Sequence, residues 1–300
     1  MGREVYYSRS RAGGTVRIAV TGANGFLGRY VLRELALNKV PCVAVDRTPP
    51  GIAGSAGVDW IQMDLYEPFP DAFEKMGRPD TLIHLAWGGL PNYGSAHHLE
   101  KELPGQYKFL SWLVHAGLRS MVVTGTCFEY GMKSDMLTED LMPCPDNSYA
   151  RAKNSLRQQL ESLKEATPFN LVWARLFYMY GEGQAKTSLY SQLKEAVLRG
   201  DNEFNMSRGE QLRDYLPVTE VAREIVRLVI LDRDVGVVNV CSGSPISVRE
   251  LVKRWLRENG WKIRLNLGYY PYPSYEPMAF WGSRKRLDSI IRERNDENRS

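Results

Sequence analysis

Cysteine is scarce in this sequence, at four residues in 300, and none stands in a C-x-x-C pair. The wide spacing argues against both a disulfide framework and a cysteine-bound metal ion. Reduced thiols in a cytoplasmic setting are the simpler interpretation. The four residues are Cys42, Cys127, Cys144 and Cys241.

Histidine is equally scarce, with four residues in the chain. His97 and His98 are adjacent and therefore point apart on a helix, which is poor geometry for binding one metal ion. We assign no chemistry to this pair, to His84 or to His115. The sequence thus predicts no metal site.

Long apolar runs and dense patches of one charge are missing as well. No apolar run approaches the length of a membrane span, and the first 14 residues lack the apolar core of a signal peptide. The net charge is only +4, and no stretch concentrates Lys and Arg on one face among aromatic residues. We therefore expect no membrane or nucleic-acid partner, whereas a mild positive excess suits an anionic small molecule.

The sequence does contain an alternation of short β-branched runs and longer helical patterns. This alternation is typical of a parallel sheet covered by helices, and an apolar content of 43% suffices for a buried core. The predicted strands are 16–20, 41–46, 60–63, 81–86, 120–124 and 170–175, and the predicted helices are 26–37, 107–116 and 149–165.

Beyond about Arg175 the sequence pattern changes, and we place a domain boundary there. Helices are predicted at 188–199 and 218–231, a strand at 237–240, and a mostly looped tail from Leu265 to Phe280. We expect residues 15–175 to form one domain, to which segments near 211–240 return. Residues 176–300 form a smaller region that closes over it.

The first predicted strand is followed by a glycine-rich turn, TGANGFLG at 21–28, which opens the first helix. Gly22 allows a tight turn, Gly25 lets backbone approach a pyrophosphate, and Gly28 lets helix and sheet pack closely. The helix N-terminus offers free N–H groups and partial positive charge to phosphates. An ordinary turn with incidental glycines is the alternative, but the position between strand and helix favours a dinucleotide site.

Acidic residues follow the next two strands. Asp46 ends the second strand, 18 residues after Gly28, where a carboxylate bonds the ribose hydroxyls of NAD. Arg47 suits the extra phosphate of NADP, which Asp46 would repel, so NAD is favoured and NADP stays open. Asp64 follows the third strand and either meets the adenine or caps a turn.

Tyr149 and Lys153 are four residues apart in a helical stretch, so their side chains share one face. A free tyrosine has a pKa near 10, and we expect the neighbouring ammonium to lower it. The tyrosine then exchanges a proton with an alcohol or carbonyl oxygen while hydride moves at the carbon. Tyr190 and Lys194 show the same interval and are interpreted as a plain surface helix.

The segment TGTCFEYG at 124–131 distinguishes the Tyr149/Lys153 pair from the pair with the same spacing on the later helix. It leaves the fifth strand with hydroxyl groups beyond the carboxyl edge, where a parallel sheet binds its ligand. Thr126 is placed to bond the reacting oxygen, with a structural Thr-Gly turn as the alternative.

Seven segments, in this order, resemble the extended short-chain dehydrogenase/reductases that act on nucleotide sugars. The resemblance covers most of the chain, from residue 16 to beyond 250. The segments are TGANGFLG (21–28), HLAW (84–87), TGTCFEYG (124–131), YARAK (149–153), ARLFYMYGEGQ (174–184), LRDYLPVTEVA (212–222) and NVCSGSPISVREL (239–251).

The resemblance implies an α/β fold, with a doubly wound Rossmann domain of seven parallel strands and a smaller C-terminal α/β substrate domain. It implies a catalytic triad of Thr126, Tyr149 and Lys153. The substrate-binding positions are Trp87, Thr126, Tyr178 and Arg213, the last being the family's diphosphate-binding arginine. The cofactor-binding positions are Gly22, Asn24, Gly25, Phe26, Leu27, Gly28, Asp46, Arg47, Asp64, Leu65, Leu85, Ala86, Trp87 and Lys153.

Departures from the family pattern narrow the range of reactions that the resemblance implies. Dehydratases carry an Asp-Glu pair after the catalytic threonine, where this chain has Cys127 and Phe128, so water elimination is disfavoured. Glu102 and Tyr178 replace two family asparagines, which puts the usual substrate contacts in doubt. For Tyr178 and the bulky Trp87, core packing is an equal alternative. From the residues alone, Arg213 equally suits a surface ion pair.

These features favour an NAD(P)-dependent reductase of the 4-keto group of a nucleotide-linked 6-deoxysugar. A 4-epimerase that retains NAD shares every motif and stays open. A non-catalytic nucleotide-binding regulator is a third hypothesis, and the presence of Tyr149 and Lys153 argues against it. Family members often dimerise through two helices of each subunit, so we expect a homodimer through Lys101–Ala116 and Tyr149–Glu165.

Overall fold

The computed structural model describes residues 16–48, 57–67, 70–272 and 276–297. Within them the strands are β1 (Ile18–Thr21), β2 (Cys42–Asp46), β3 (Val58–Gln62), β4 (Thr81–His84), β5 (Ser120–Thr126), β6 (Asp135–Leu137), β7 (Asn170–Leu176), β8 (Tyr178–Tyr180), β9 (Glu203–Met206), β10 (Leu212–Arg213), β11 (Tyr215–Pro217), β12 (Gly236–Val240), β13 (Ile246–Ser247), β14 (Arg264–Leu267) and β15 (Phe280–Gly282).

The α-helices are α1 (Phe26–Leu37), α2 (Ala72–Lys75), α3 (Leu103–Ala116), α4 (Ser148–Ala166), α5 (Leu189–Arg199), α6 (Val218–Leu231), α7 (Val248–Asn259) and α8 (Lys285–Glu297). A π-helical turn, His98–Glu102, precedes α3, and a 3₁₀ turn, Cys127–Tyr130, follows β5.

Seven strands form one parallel sheet in the order β3-β2-β1-β4-β5-β7-β12. The winding direction reverses between β1 and β4, so this is the doubly wound Rossmann arrangement. Strands β1, β4 and β5 are buried along their whole length, as expected for parallel strands covered on both faces. Ligands bind such sheets at the carboxyl edge near the reversal.

Helices cover the sheet on both faces, and each face has its own core. One core includes α1 and α6 with Val20, Val31 and Ile225, all fully buried. The other includes α3 and α4 with Phe109 and Leu156. The α/β fold with flanking helices confirms the predicted fold class.

A separate core lies in the C-terminal part, where Leu193, Met206 and Trp255 pack together. Strand β14 pairs with β9 and strand β11 with β8, so short parallel pairs hold this part together. The chain returns to the large sheet at β12, beside β7. Local signals missed these small pairs because each joins segments far apart in sequence.

The predicted bounds agree with α1 and α6, but the prediction missed α7 and α8. Helix α7 carries many charges, and its buried stripe is only Leu251, Val252 and Trp255. Ser247 caps its start and Gly260 ends it in the left-handed conformation. The tail predicted to be mostly loop contains strand residues at its two ends, where β14 reaches Leu267 and β15 begins at Phe280.

In the described parts of the chain, no helix is long and apolar enough to cross a membrane. The same residues contain no group of three or more His, Cys, Asp or Glu side chains able to hold a metal ion.

We predict that Gly28→Ala destabilises the fold by about 1–3 kcal/mol, because a Cβ there would overpack a rigid turn. That atom would lie 2.2 Å from the Gly22 carbonyl oxygen and 2.7 Å from that of Ala23. Gly94→Ala is the control, since its Cβ has nothing within 4 Å. Urea unfolding measures both, and equal stability of the two variants would contradict the packing argument.

Candidate active site

The glycine-rich turn leaves the N-terminus of α1 open. Gly22 has φ +68°, and a Cβ on it would lie 2.8 Å from the Ala86 nitrogen. Helix α1 starts at Phe26, and among the described residues no side chain caps it and no acidic group lies in its first turn. Uncapped N–H groups with partial positive charge suit the phosphates of a dinucleotide. These residues therefore fit a dinucleotide cofactor.

Asp46 lies at the end of β2 beside this turn. Its carboxylate accepts the backbone N–H of Asn24 at 3.0 Å and that of Thr48 at 3.2 Å. Arg47 is exposed next to it. Asp64 accepts the N–H of Tyr66 at 3.0 Å, so its side chain does cap a turn.

The structure places four further residues that the sequence analysis predicted to bind the cofactor. Leu65 is 6% exposed and belongs to the core on the α3 side of the sheet. Leu27 is partly buried against the core on the α1 side. Leu85 and Ala86 directly follow β4, and both face Gly22 through their backbone atoms.

Thr126, Tyr149 and Lys153 come together at the carboxyl edge of the sheet. Thr126 is the last residue of β5, and Tyr149 lies in the first turn of α4, which Asn147 caps by accepting the N–H of Ala150. The Tyr149 hydroxyl hydrogen-bonds the Thr126 side chain. Lys153 donates from Nζ to the Thr124 carbonyl oxygen at 2.8 Å.

Burial has the largest effect on the pKa values of Lys153 and Tyr149. It lowers the pKa of Lys153 to about 7, against a partial rise from the charges of Glu129 and Glu102. It raises the pKa of Tyr149, with contributions from Tyr93 and Glu129, while the bond with Thr126 lowers it. The expected lowering of the Tyr149 pKa was therefore wrong for the ligand-free protein, because desolvation of the phenolate outweighs the nearby cation.

Three rings enclose Tyr149. Trp87 meets it edge to face at 5.9 Å between ring centres, Tyr93 lies at 5.6 Å and His98 at 5.3 Å. The backbone N–H of Tyr149 donates to the Tyr93 carbonyl oxygen at 2.9 Å, which ties the loop after β4 to α4. Trp87 also lies under the Lys153 ammonium, 3.9 Å from its ring centre, so it contacts both catalytic candidates.

His98 is a contact that the sequence did not reveal. It is fully buried, accepts from the Trp87 indole at 3.2 Å and faces the Asn92 carbonyl oxygen at 2.8 Å. These partners fit a neutral ring with the proton on Nε2. His98 therefore orients Trp87 toward Lys153.

Arg213 and Tyr178 meet at the edge of the C-terminal part. The Arg213 side chain is 4% exposed and pairs with Glu276 at 2.9 Å, which rules out the surface ion pair. It also lies over the Phe280 ring at 4.6 Å. Tyr178 donates its hydroxyl to Glu276. Glu276 lies outside every motif, so nothing local in the sequence indicated it.

Aromatic rings connect this pair to the Tyr149 group. Phe128 lies 5.1 Å from Tyr93 and 6.2 Å from Tyr178. Tyr178 in turn lies 5.0 Å from Tyr215 and 6.0 Å from Phe280. We call these five residues, Tyr93, Phe128, Tyr178, Tyr215 and Phe280, the aromatic wall.

Glu102, at the position of a family asparagine, is 2% exposed in the π-helical turn. Burial raises its pKa, but hydrogen bonds from the Gly88 backbone and from Tyr66, Gln106 and His97 outweigh this and lower it. It stays charged and braces the loop that carries Trp87.

A Rossmann sheet, an open glycine-rich turn and a buried Thr/Tyr/Lys group at the carboxyl edge are the features expected of a nicotinamide-dependent short-chain dehydrogenase/reductase. The model of the NAD dependent epimerase/dehydratase family matches residues 18–241. The chain belongs to this family.

Two curated proteins and one solved structure are informative relatives. dTDP-6-deoxy-L-talose 4-dehydrogenase (NAD(+)) of Aggregatibacter actinomycetemcomitans is 30% identical over 275 residues, covering 90% of this chain and 100% of that protein. GDP-6-deoxy-D-mannose reductase of Pseudomonas aeruginosa is 26% identical over 253 residues, covering 80% and 79%. The structure of MoeE5 in complex with UDP-glucuronic acid and NAD has a TM-score of 0.76 and 26% identity, covering 92% of each chain.

We predict that Lys153→Met stabilises the fold below about pH 7 by about 1–2 kcal/mol, because it removes a charge that burial penalises. The folded pKa of about 7 lies below the unfolded value. The free energy of unfolding of the wild type therefore rises between about pH 7 and about pH 10. The stability advantage of Lys153→Met over the wild type shrinks across this range. Urea unfolding across pH measures it.

Lys164→Met on the same helix is the control. Its ammonium is 28% exposed and pairs with Asp234 at 2.7 Å, so only a small, pH-independent change is expected. A Lys153→Met protein that is less stable than wild type at every pH would contradict the burial argument.

Proposed function

We propose that the protein is an NAD(P)-dependent reductase of the 4-keto group of a nucleotide-linked 6-deoxysugar. The observation that carries the proposal is the buried, protonated Tyr149 phenol, hydrogen-bonded with Thr126 beside the aromatic wall. The similarity to two enzymes named for 6-deoxysugars, a 4-dehydrogenase and a reductase, supports this substrate class.

Burial raises the pKa of Tyr149, so its phenol keeps its proton in the ligand-free protein. A phenol that keeps its proton at neutral pH is a general acid, so Tyr149 donates that proton to the carbonyl oxygen of the substrate. The Thr126 hydroxyl bonds the same oxygen and orients it toward Tyr149. The nicotinamide, when bound, supplies the hydride to the carbonyl carbon.

Lys153 supports this transfer in two ways. Its ammonium lies on the face of α4 that carries Tyr149 and favours the phenolate that forms as the proton leaves. Its position beside Trp87 and Thr124 also suits contact with the nicotinamide ribose. The open turn at 22–28 would hold the pyrophosphate, and Asp46 the adenosine ribose, which favours NAD over NADP.

The aromatic wall suits a 6-deoxysugar. Rings bury the apolar face of a pyranose well, and a methyl group at C5 needs no hydrogen-bonding partner, unlike a hydroxymethyl group. Arg213 stands at the rim of the wall, where a guanidinium suits a diphosphate. In the ligand-free protein Glu276 occupies that guanidinium, so we propose that the diphosphate displaces the carboxylate.

A 4-epimerase is the second candidate. It would use the same Thr126, Tyr149 and Lys153 with cofactor that stays bound, and the family's own description includes epimerases. It differs from the reductase in needing room for the keto sugar to turn over.

We also propose a cytoplasmic homodimer. All four cysteines are free, which suits a reducing compartment. The partly exposed faces of α3 and α4 would pack against the same helices of a second subunit. Light scattering at micromolar concentration tests this, and a monomer would overturn it. We further propose that residues up to about 175, with the returning β12, bind cofactor and that the rest mainly binds substrate.

The function is tested by mixing the purified protein with NADH or NADPH and nucleotide-linked 4-keto-6-deoxysugars on dTDP, GDP and UDP. Stoichiometric loss of the absorbance of reduced nicotinamide is expected with at least one of them. No loss, with NAD retained on the purified protein, would favour the epimerase. No loss and no bound cofactor would contradict both functions.

We predict that Tyr149→Phe lowers kcat about 10²- to 10⁴-fold, the usual contribution of a positioned proton donor, while NADH binding persists. Tyr190→Phe is the control, because Tyr190 and Lys194 have the same spacing on α5. Steady-state rates and NADH fluorescence measure both variants. A Tyr149→Phe enzyme with wild-type kcat would refute the proposed role.

A further inference from the structure

A fully buried carboxylate that the reaction does not use lies directly against Thr126. Glu129, in the 3₁₀ turn after β5, has 0% exposure. Its Oε1 accepts the backbone N–H of Thr126 at 2.8 Å, and the Thr126 hydroxyl accepts the N–H of Phe128 at 3.3 Å. This reciprocal capping box fixes the backbone on both sides of the Thr126 side chain.

Strand β7 fixes Glu129 in turn. Trp173 donates from Nε1 at 3.0 and 3.1 Å to its two oxygens, and Arg175 donates from Nε at 2.8 Å. The Arg175 guanidinium, with 1% exposure, also lies 4.5 Å from the ring centre of Tyr130. A buried carboxylate with this many donors has one favourable position.

Gly125 makes room for this arrangement. A Cβ at position 125 would lie 2.2 Å from the Trp173 Nε1 atom and 2.5 Å from Glu129 Oε1. The glycine of the TGT motif thus lets the carboxylate reach Thr126. Glu129 points into the core, one residue beyond the position where dehydratases carry their glutamate, so it does not contact the sugar.

The charge of Glu129 also acts on the catalytic pair across the strand end. The charged and titratable groups that face it are Arg175 on β7, Cys127 and Tyr130 on its own turn, and Tyr149 and Lys153 on α4. Arg175 balances part of the charge. The remainder raises the pKa values of both Tyr149 and Lys153.

We propose that Glu129 is a positioning residue, which locks the Thr126 end of β5 and supplies a fixed negative charge beneath the Tyr149/Lys153 pair. The inference rests on the proposed function, because it gives Thr126, Tyr149 and Lys153 their catalytic roles.

Glu129→Gln removes the charge and keeps an oxygen that accepts the Thr126 N–H. The pKa values of Tyr149 and Lys153 should both fall, so the whole pH–rate profile should move to lower pH by about half a unit to one unit. Selective ¹³Cε-lysine NMR of the ligand-free protein follows Lys153 itself, assigned with Lys153→Met. Its titration midpoint, near 7 in the wild type, should fall by the same amount.

Glu129→Asp keeps the charge and draws it away from the Thr126 N–H. The pH profile should stay in place, while kcat should fall about tenfold to a hundredfold with little change in KM. The two variants therefore separate the electrostatic from the geometric part of the role of Glu129. If one variant fails to fold, the other still tests its own part.

Glu224→Gln is the matched control. Glu224 is likewise buried, with its side chain 4% exposed, and pairs with Arg284 at 2.6 Å, but it lies on α6 and not among the groups that face Lys153. Loss of stability without movement of the Lys153 midpoint is expected there. If Glu129→Gln moves neither the midpoint nor the profile, or if Glu224→Gln moves them equally, the inference is overturned.

The NMR arm needs no substrate. A shifted Lys153 midpoint in an enzyme without activity on any sugar would therefore refute the proposed function while upholding the electrostatic part of this inference.

Discussion

The hydrogen bond between the Lys153 ammonium and the Thr124 carbonyl oxygen joins α4 to the end of β5. The catalytic candidates and Trp87 lie around this junction. Thr126 and Tyr149 meet because strand and helix are held there, and Trp87 lies against the same ammonium. Lys153 is 2% exposed, and its carbonyl, ring and carboxylate neighbours compensate for part of its lost hydration. The Lys153 ammonium, whose burial costs free energy, therefore lies where proton transfer needs a positive charge.

Three carboxylates lie around this centre, of which Glu129 and Glu102 are buried and Glu276 is partly buried. Glu129 lies beneath Thr126, Glu102 braces the loop of Trp87, and Glu276 holds Arg213 and Tyr178. Glu129 pairs with Arg175, and Glu276 pairs with Arg213. Burial, with a contribution from the charge of Glu129, raises the pKa of Tyr149 and keeps its phenol protonated. A site organised in this way is prepared to give a proton, which agrees with reduction of a carbonyl group better than with elimination of water.

Local patterns predicted the parts of the molecule that depend on sequence neighbours. The glycine-rich turn, the Tyr149/Lys153 interval and the bounds of α1 and α6 follow from helix period and strand order, and they agree with the structure. Glu276 and His98 act through partners that the fold brings together, so no spacing rule could indicate them. The titration of Tyr149 was misjudged because burial, which a sequence does not show, outweighs one favourable neighbour.

We infer that this chain moves hydride between nicotinamide and a sugar carbon while Tyr149 moves the proton. The most direct test supplies NADH deuterated at the transferred position, with a nucleotide-linked 4-keto-6-deoxysugar, and locates deuterium in the product by NMR. We expect the label at C4 with the wild-type enzyme and almost none with Tyr149→Phe over the same time. Product without deuterium at C4, or equal labelling by both proteins, would contradict it.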